Sequence, residues 1–361
     1  MSIPIDNVNT VLTLMPDKHI GNLVVSLPAI EGLIKHFKGK AFYLVIDTAY
    51  REIVESVLSE EQIKFYPRKQ FNTGSYLRQV LPYTEFMYSI RKMQPDIVID
   101  LQGGHTSSLI TLFSRAASRV AGSFTNRPYA YNTKVNVSEG KHKVYNYLAI
   151  AASVGAPVNE KYYRLQSEGA RRVSLEHKLR NIGLLSERPI VAVHPGRGRL
   201  QKLWTISGFA TVADWLAARD YQVVFVGGAG ESHRTSEIIA LVYHQTYNLV
   251  GSLSLGELMA LFEMSSLFLG NDSGPMHLAA AMGTPVVALF GYADEARWGP
   301  RSEKSIVLRG EGRCQDCSKK ECKDPKCINT LSSEAVKSAI ETLLQQENSS
   351  GWNRILPLHA A

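Results

Sequence analysis

The most informative absences in this 361-residue sequence concern membranes and cofactors. No uninterrupted apolar stretch is long enough to cross a bilayer. The segment Met1–Asp6 lacks the basic and then apolar pattern of a signal peptide, so we expect a cytoplasmic protein. The glycine turn after the first predicted strand is not a Gly-x-Gly-x-x-Gly, so the sequence indicates no dinucleotide cofactor.

The composition is that of a globular protein long enough for two domains, with 45% hydrophobic and 20% charged residues. A formal net charge of +7 and a pI of about 9.1 favour an anionic partner. The basic residues are scattered and no nucleic-acid-binding motif occurs, so we expect no nucleic-acid partner. An acidic membrane surface or an anionic glycolipid fits the charge equally well.

The stretch 268–291 predicts a strand, a tight turn, a helix and a second strand in the letters F-L-G-N-D-S-G-P-M-H-L-A-A-A-M-G-T-P-V-V-A-L-F-G. Pro275 suits the first turn of the helix, Gly283 its end, and Asp272 or Ser273 its cap. The helix N-terminus offers free backbone N–H groups and a positive dipole end to a phosphate. The alternative is an ordinary β-α-β unit whose polar residues only cap the helix.

This stretch resembles the nucleotide-sugar signature of glycosyltransferase family 9, the lipopolysaccharide heptosyltransferases. The resemblance implies the GT-B architecture, an α/β fold of two Rossmann-like domains whose parallel sheets face a central cleft. It also implies that ADP-heptose is the donor. The residues that it assigns to the donor's sugar and diphosphate are Asp272, Ser273, Gly274 and His277.

Two further segments of the second half are similar to family patterns. Residues 194–204 match H-P-G…K-x-W, and the glycine run 227–230 ends at Glu231. Glycine at position 196 lets the backbone approach a phosphate, and Lys202 can neutralise a diphosphate and so assist catalysis. The resemblance places Glu231 at the nucleoside, where a carboxylate can accept from two ribose hydroxyls; the alternative is a simple charge at a helix N-terminus. His194, Gly196, Lys202 and Glu231 are therefore assigned to donor binding.

Residues near this donor motif are predicted to serve the fold. Trp204 is expected to be a packing residue, and Thr205 or Ser207 is expected to cap the helix that follows.

The first domain opens with a predicted strand at 8–15 and the loop P-D-K-H-I-G-N at 16–22. The segment I-G-N-L-V-V-S-L-P-A is similar to the first family motif, in which an Asp after I-G is the proposed base; Gly21 is assigned to the donor. Here that position is Asn22, and a neutral amide cannot act as a general base. Either Asp17 or His19 takes over, or the reaction needs only positioning and leaving-group stabilisation, or the chain is a weak or inactive homologue.

The acceptor side is predicted at the carboxyl end of the buried strand 96–101. Ligands of such sheets bind at the carboxyl ends of strands, which makes Gln102 and His105 candidates. A simple strand-to-helix turn is the alternative. The loop 124–137 resembles the variable acceptor loop of the family and carries Arg127. Together with His19, these residues form the acceptor-binding prediction.

All four cysteines, Cys314, Cys317, Cys322 and Cys327, lie in one loop. Their spacing permits a tetrahedral zinc site with four thiolate ligands, although it departs from paired C-x-x-C motifs. A cytosolic location argues against stable disulfides. A structural zinc site and reduced or redox-labile thiols are the two alternatives, and catalysis itself is expected to require no cofactor.

These observations combine into one functional prediction. Residues 1–160 form the acceptor-binding domain, 161–188 the connection, 189–346 the donor domain with the cysteine loop 314–327, and 347–361 a tail. The expected activity is metal-independent, inverting transfer of heptose from ADP-heptose to an inner-core lipopolysaccharide or related surface glycan, at the inner face of the cytoplasmic membrane, with the protein bound peripherally. The alternatives are another nucleotide sugar, or a non-catalytic sugar-nucleotide or glycolipid binding protein that lost its base at Asn22.

Overall fold

The computed structural model describes residues 7–68, 76–138, 140–184, 188–312, 322 and 324–349. The chain forms two compact units, Met1–Lys161 and Tyr162–Ala361. Among the described residues, no helix combines the length and the apolar character that a membrane span requires.

The first unit is a six-stranded parallel sheet with helices. Its strands are β1 (Thr10–Met15), β2 (Ala41–Asp47), β3 (Ile63–Tyr66), β4 (Ile97–Asp100), β5 (Ser118–Gly122) and β6 (Thr133–Val135). Its helices are α1 (Ile20–His36), α2 (Arg51–Val54), α3 (Tyr76–Lys92), α4 (His105–Ser114) and α5 (Lys143–Ser153). The strand order β3-β2-β1-β4-β5-β6 is that of a Rossmann sheet, with its reversal between β1 and β4.

The middle of this sheet is buried on both faces, which is why its strands are almost wholly apolar. Leu12 and Leu14 of β1 and Val98 of β4 have no exposed surface, and they pack with Ile90 of α3. Helix α1 approaches the chain after α5 so closely that a Cβ at Gly32 would lie 2.4 Å from the carbonyl oxygen of Pro157. Glycine is therefore required at that contact.

The second unit repeats this plan with a second six-stranded parallel sheet. Its strands are β7 (Ile190–His194), β8 (Gln222–Phe225), β9 (Tyr247–Asn248), β10 (Leu267–Asn271), β11 (Val286–Phe290) and β12 (Ser305–Arg309). Its helices are α6 (Gly169–Asn181), α7 (Ile206–Ala217), α8 (Ser232–Ile239), α9 (Leu255–Met264), α10 (Gly274–Met282), α11 (Glu295–Trp298), α12 (Lys326–Asn329) and α13 (Ser333–Ser349). The strand order β12-β11-β10-β7-β8-β9 has its reversal between β7 and β10.

The strand, helix and strand predicted in the stretch 268–291 are confirmed as β10, α10 and β11. Helix α10 ends at Gly283, whose φ of 81° is the left-handed conformation that glycine adopts without strain. Trp204 is fully buried and its Nε1 donates to the carbonyl of Leu331 over 2.9 Å, so its predicted packing role is confirmed. Thr205 caps α7 by accepting from the N–H of Gly208, which is one of the two predicted caps.

The segment 161–188, assigned above to the connection, contains helix α6. This helix packs on α9, where Lys178 Nζ lies 2.8 Å from Glu257 Oε2 and Ser174 Oγ donates to Glu257 Oε1 over 2.8 Å. Burial pushes the pKa of Glu257 upward, but the hydrogen bonds from Lys178, Ser254 and Ser174 outweigh it and hold the pKa below its usual range. Helix α6 is thus packed within the second unit.

Candidate functional site

The polar residues predicted for the donor lie at the strand reversal of the second sheet. Because β7 and β10 are parallel neighbours, their carboxyl ends open at the same edge. His194 is the last residue of β7, the loop after β7 carries Lys202, and the turn after β10 carries Asp272 and Ser273. A strand reversal in such a sheet is where ligands bind, so the topology itself marks this cluster as a site.

The side chains of Asp272 and Ser273 do not cap α10, so that prediction is wrong. Ser273 occupies the cap position but its hydroxyl makes no hydrogen bond to the helix. Its Oγ lies instead 3.2 Å from Nδ1 of His194. The backbone N–H groups of the first turn of α10 are thereby left without this side-chain partner, and an anion can take its place.

Lys202 is held at the turn before α10 by an ion pair. Its Nζ lies 2.5 Å from Oδ2 of Asp272, whose side chain is only 8% exposed. An ammonium group has three donors in all, so the contact with Asp272 orients Lys202 and leaves donors for a phosphate. Asp272, predicted to lie beside the donor, therefore also positions the predicted cation.

Asn271 is a residue of this site that sequence reasoning missed. Its Nδ2 donates to the carbonyl of Pro195 over 2.5 Å, and its Oδ1 accepts from the N–H of Trp204 over 3.1 Å. One buried amide thus fastens both ends of the loop 195–204 to the end of β10. Gly196 turns beside Asn271 with a φ of 71°, as the glycine turn requires. An amide that directly follows a buried strand was the available signal.

His194 and Glu231 join the loops after β7 and β8. His194 Nε2 lies 3.3 Å from Glu231 Oε1, while Glu231 Oε2 accepts from the N–H of Gly228 over 2.6 Å. Burial pushes the pKa of Glu231 upward, but the hydrogen bond and charge of His194 outweigh it and lower the pKa below its usual range. Glu231 is therefore an anion that orients His194 toward Ser273, and its contact with a nucleoside stays a prediction.

Two further donor candidates lie on helix α10 itself. Gly274 is its first residue, and His277 is buried within its first turn. Gly21, also assigned to the donor, lies buried in the first turn of α1 in the other unit. The roles of these three residues stay predictions.

The first unit has a matching cluster at its own strand reversal. Asp17 follows β1 and is buried, with Oδ1 accepting from the N–H of His19 over 2.8 Å. Its Oδ2 accepts from Nδ2 of Asn22 over 2.9 Å, and Nε2 of Gln102, after β4, lies 3.5 Å away. The structure thus brings together Asp17, Asn22 and Gln102, and Asn22 serves as a hydrogen-bond donor to the one carboxylate among them.

The loop that carries Asp17 is anchored by Arg68 and Tyr50, whose partners the sequence did not reveal. Nε of Arg68 donates to Asp47 Oδ2 over 2.6 Å, and one of its terminal nitrogens donates to the carbonyl of Pro16 over 2.5 Å. The hydroxyl of Tyr50 donates to the carbonyl of Lys18 over 2.5 Å. Burial raises the pKa of Tyr50, and the nearby carboxylates of Asp47 and Asp17 add to the shift. These contacts come from distant parts of the sequence and tie the loop to residues after β2 and β3.

The turn that carries Gln102 is organised by a fully buried carboxyl group. Asp100 Oδ1 accepts from the N–H groups of Gln102 and Gly103 over 2.9 Å each, and the hydroxyl of Tyr131 donates to its Oδ2. Burial raises the pKa of Asp100 despite these hydrogen bonds. Its position beneath the turn means that Asp100 shapes the site without reaching its surface.

The remaining acceptor candidates are His19, His105 and Arg127. His19 is exposed, and its backbone N–H is the group that contacts Asp17. Its role as a base stays a prediction. His105 is exposed at the first position of α4. Arg127 is half-buried. Burial raises the pKa of Tyr83, and the nearby charge of Arg127 opposes that rise. Their contact with an acceptor stays a prediction.

The zinc prediction falls partly outside the described residues, because Cys314 and Cys317 lie there. Cys322 is half-buried and Cys327 is buried in α12. Within the described ranges, no three His, Cys, Asp or Glu side chains are grouped so that they could hold a metal ion. The zinc site therefore stays a prediction.

The comparison with known proteins identifies the family. The family model described as glycosyltransferase family 9 (heptosyltransferase) matches residues 83–328, which is more than half of the chain. This chain belongs to glycosyltransferase family 9. The predicted family is thereby confirmed.

Individual relatives agree with this membership. The chain is 22% identical over 293 residues to lipopolysaccharide heptosyltransferase 3 of Escherichia coli, covering 79% of this chain and 85% of that protein. It is 25% identical over 341 residues to lipooligosaccharide heptosyltransferase 2 of Campylobacter jejuni serotype O:2, covering 91% and 97%.

Solved structures show the same fold. E. coli ADP-heptose lps heptosyltransferase II superposes with a TM-score of 0.75 at 21% identity, covering 94% of this chain and 99% of that one. E. coli heptosyltransferase WaaC with ADP superposes with a TM-score of 0.72 at 19% identity, covering 92% and 99%. The family 9 protein of Veillonella parvula gives 0.81 at 21% identity, covering 96% and 99%. The predicted fold class, α/β of the GT-B type with two Rossmann-like units, is confirmed.

Proposed function

We propose that this family 9 protein transfers a heptose from ADP-heptose to an inner-core lipopolysaccharide sugar or a related surface glycan, with inversion at the anomeric carbon. The observation that carries the proposal is the cluster of Lys202, Asp272, Ser273 and His194 at the strand reversal of the second unit, in a chain that the heptosyltransferase family model matches. Relatives that are named heptosyltransferases, and that this chain matches along most of their length, support heptose as the transferred sugar.

The donor diphosphate fits the N-terminus of α10. There the first turn of α10 has no side-chain cap, Asp272 holds the Lys202 ammonium at the preceding turn, and Ser273 is the cap residue from which the helix starts. The uncapped turn and the ammonium both favour negative charge. In an inverting transfer the bond to the diphosphate breaks as an oxocarbenium-like centre develops, so the leaving group gains charge at this position. Lys202 and the helix dipole can stabilise that charge, and we propose that transfer needs no metal ion.

The general base is assigned to Asp17 rather than to position 22. Asp17 is the carboxylate at the strand reversal of the first unit, and it is oriented by Asn22 and by the N–H of His19. A carboxylate can accept the proton of an acceptor hydroxyl as that hydroxyl attacks the anomeric carbon, whereas the amide of Asn22 cannot. Asp17 therefore supplies the base that this chain lacks at position 22.

The acceptor is assigned to the first unit, where Gln102 lies beside Asp17. We propose that it is an anionic glycolipid, which the net charge of +7 favours, and that the protein meets it as a peripheral protein at the inner face of the cytoplasmic membrane. A family relative with another nucleotide sugar as donor is the second candidate. A non-catalytic binding protein is the third, favoured only by Asn22 at the family's base position.

Turnover of ADP-heptose with a deacylated inner-core acceptor tests the proposal. Lys202→Ala should lose about a hundredfold or more, as is common when a group that stabilises developing charge is removed. Asp17→Asn keeps the shape of the loop and should lose a similar factor because it removes the base. The matched controls Lys337→Ala and Asp220→Asn remove a cation and an anion from ion pairs outside both clusters, and both should keep full turnover.

The outcomes separate the three candidates. Tight ADP binding without transfer to any core acceptor would refute the heptosyltransferase function and favour another donor or a binding role. Transfer that survives Asp17→Asn would refute the assignment of the base and leave the donor site unaffected.

A further inference from the structure

We propose that the outer surface of helices α3 and α4 docks on an anionic lipid bilayer. We define this α3–α4 face by its exposed apolar side chains Leu81, Tyr88, Leu109, Leu112 and Phe113 and by the basic residues Arg91, Lys92 and Arg115. The inference rests on the proposed function in one respect, since it supplies the membrane contact that a lipid-linked acceptor requires.

Both helices expose large apolar side chains on the side away from the core. On α3, Phe86, Met87 and Ile90 pack in the core of the first unit, whereas Leu81 and Tyr88, seven residues apart, are 66% and 68% exposed. A helix at a water-facing surface normally carries polar residues on its outer side. Leu81 and Tyr88 therefore depart from this pattern, while Thr84, Glu85 and Ser89 on the same helix follow it.

Helix α4 shows the same departure more strongly. Its core side contributes Ile110, which is fully buried. Its exposed stripe runs through Leu109, Leu112 and Phe113, which are 38% to 46% exposed, at helical spacing. Six of the fourteen exposed large apolar side chains of the described residues lie on α3 and α4, so this exposure is concentrated in one place. Concentrated apolar surface marks an interaction site, whereas scattered exposure does not.

A groove separates the two helices and adds to this surface. It has a volume of about 500 Å³ and is lined by Met87 and Thr84 from α3 and by Leu109 and Phe113 from α4. Arg91 spans it, because its Nη1 donates to the carbonyl of Phe113 over 3.4 Å. A second hollow of about 690 Å³, lined by Tyr88, Lys92 and Arg115, follows at the same end. The groove presents carbon surface with cations beside it, which is how an interfacial membrane site is built.

The charge of the α3–α4 face selects the occupant. Arg91, Lys92 and Arg115 lie together at one end of the two helices. Two carboxylates lie nearby: Asp96 accepts hydrogen bonds from the N–H groups of Asn9 and Thr10, and Glu85 is exposed on α3 between Leu81 and Tyr88. Among these described residues the cations still outnumber the carboxylates by three to two. A second copy of this chain would bring the same cations against one another, whereas anionic lipid headgroups would be attracted. Basic residues near an anionic leaflet contribute about fivefold each to binding.

The position of this face relative to the acceptor cluster is consistent with that occupant. Helix α4 starts at His105, directly after the turn that carries Gln102, and Gln102 lies beside Asp17. Leu109, the first residue of the apolar stripe, thus lies seven residues after Gln102, and the cations lie at the other end of α4. A lipid-linked acceptor would keep its acyl chains in the bilayer while its sugar reaches that turn.

Co-sedimentation of the full chain with vesicles tests the proposal without any sugar substrate. Vesicles of phosphatidylcholine with phosphatidylglycerol should bind the protein, binding should fall as salt is added, and vesicles of phosphatidylcholine alone should bind it at least tenfold more weakly. The double variant Arg91→Ala/Lys92→Ala should lose about 25-fold in affinity for the anionic vesicles. The double variant Leu112→Ser/Phe113→Ser should lose about tenfold or more.

The matched controls change equally exposed residues elsewhere. Leu241→Ser, in the second unit, removes an apolar side chain that is 54% exposed, and Lys38→Ala removes an exposed cation; both should bind like the parent chain. ADP binding and the thermal transition should be unchanged in every variant, which shows that each folds. Equal binding by the α3–α4 variants and the parent chain would overturn the proposal. Concentration-dependent dimerisation that Leu112→Ser/Phe113→Ser abolishes would also overturn it, by assigning the surface to a second copy.

The same variants separate this inference from the proposed function. Turnover with a deacylated, soluble acceptor needs no bilayer, so all four α3–α4 substitutions should leave it unchanged. Vesicle binding that depends on the α3–α4 face in a protein that transfers no heptose would refute the proposed function alone.

Discussion

The substitution Asn22→Asp restores the residue that the family motif carries, and the structure predicts that it harms this protein. Nδ2 of Asn22 donates to Oδ2 of Asp17 over 2.9 Å. An Asp at position 22 would set two carboxylate oxygens at that distance and would remove the donor. Like charges this close disfavour ionisation, so one of the two groups would hold its proton to a higher pH.

The magnitude follows from the separation of the charges. Two unit charges about 4 Å apart repel by about 1 kcal/mol in water and about 4 kcal/mol near a protein surface, which corresponds to about 1 to 3 pKa units. The unfolded chain does not bring these groups together, so the folded variant binds more protons than the unfolded one. Its free energy of unfolding should therefore match the parent near pH 4 and fall behind by about 1 to 4 kcal/mol as the pH rises through the raised pKa.

Denaturant unfolding between pH 4 and pH 8 measures this difference directly. Asn22→Ala is the control, because it removes the hydrogen bond without adding a charge, and its deficit of about 1 to 3 kcal/mol should not grow with pH in the same way. In turnover, Asn22→Asp should be slow near neutral pH and gain rate only as the second proton leaves. A rise in turnover at pH 7 with an unshifted pH profile would refute the assignment of Asp17 as the base.

Three further predictions concern the second unit and the metal. Gly291→Ala would place a Cβ 1.8 Å from the carbonyl oxygen of Gln201. Thermal unfolding should therefore show a free energy of unfolding that is lower by about 1 to 3 kcal/mol, and ADP titration should show weaker binding. Gly169→Ala is the control, because its Cβ would meet open space. Glu257→Gln should lower the free energy of unfolding by about 1.5 to 3 kcal/mol at pH 7. The lowered pKa of Glu257 in the parent chain contributes stability above about pH 4.3, and this contribution disappears as the pH falls. Equal denaturant midpoints for Glu257→Gln and the parent at pH 7 would contradict this. Transfer should persist when a chelator is added, and its complete loss, with recovery on adding a divalent ion, would contradict a metal-independent reaction.

The local pattern of the sequence was sufficient for the second unit's central elements. The run from Leu267 to Phe290 alternates between apolar strand, turn chemistry and small-residue helix, and β10, α10 and β11 follow it closely. Trp204 in the core and Thr205 at the start of α7 were also predicted correctly. These features depend on residues near one another in the chain, so propensity and periodicity describe them well.

Helix α3 shows where local pattern was insufficient. It carries Pro82 in its interior, a residue that ordinarily ends a helix, and no helix was predicted there. Its burial of Phe86 and Ile90 against the sheet is a tertiary contribution to stability. Helix α1 likewise continues through Pro28 because its apolar residues are buried.

The composition of the two clusters was visible in the sequence, because loops at the carboxyl ends of parallel strands collect in one place once the strand order is Rossmann-like. The partners within each cluster were not visible, because they are separated by tens of residues: Lys202 with Asp272, His194 with Glu231 and Ser273, and Arg68 with Asp47. Motif positions thus identified His194, Lys202 and Asp272 as polar groups at a turn that is predicted to bind phosphate. Folding decided that Asp272 holds Lys202 and that Asn22 supports Asp17, since hydrogen bonds and ion pairs depend on distances that only the packed sheets establish.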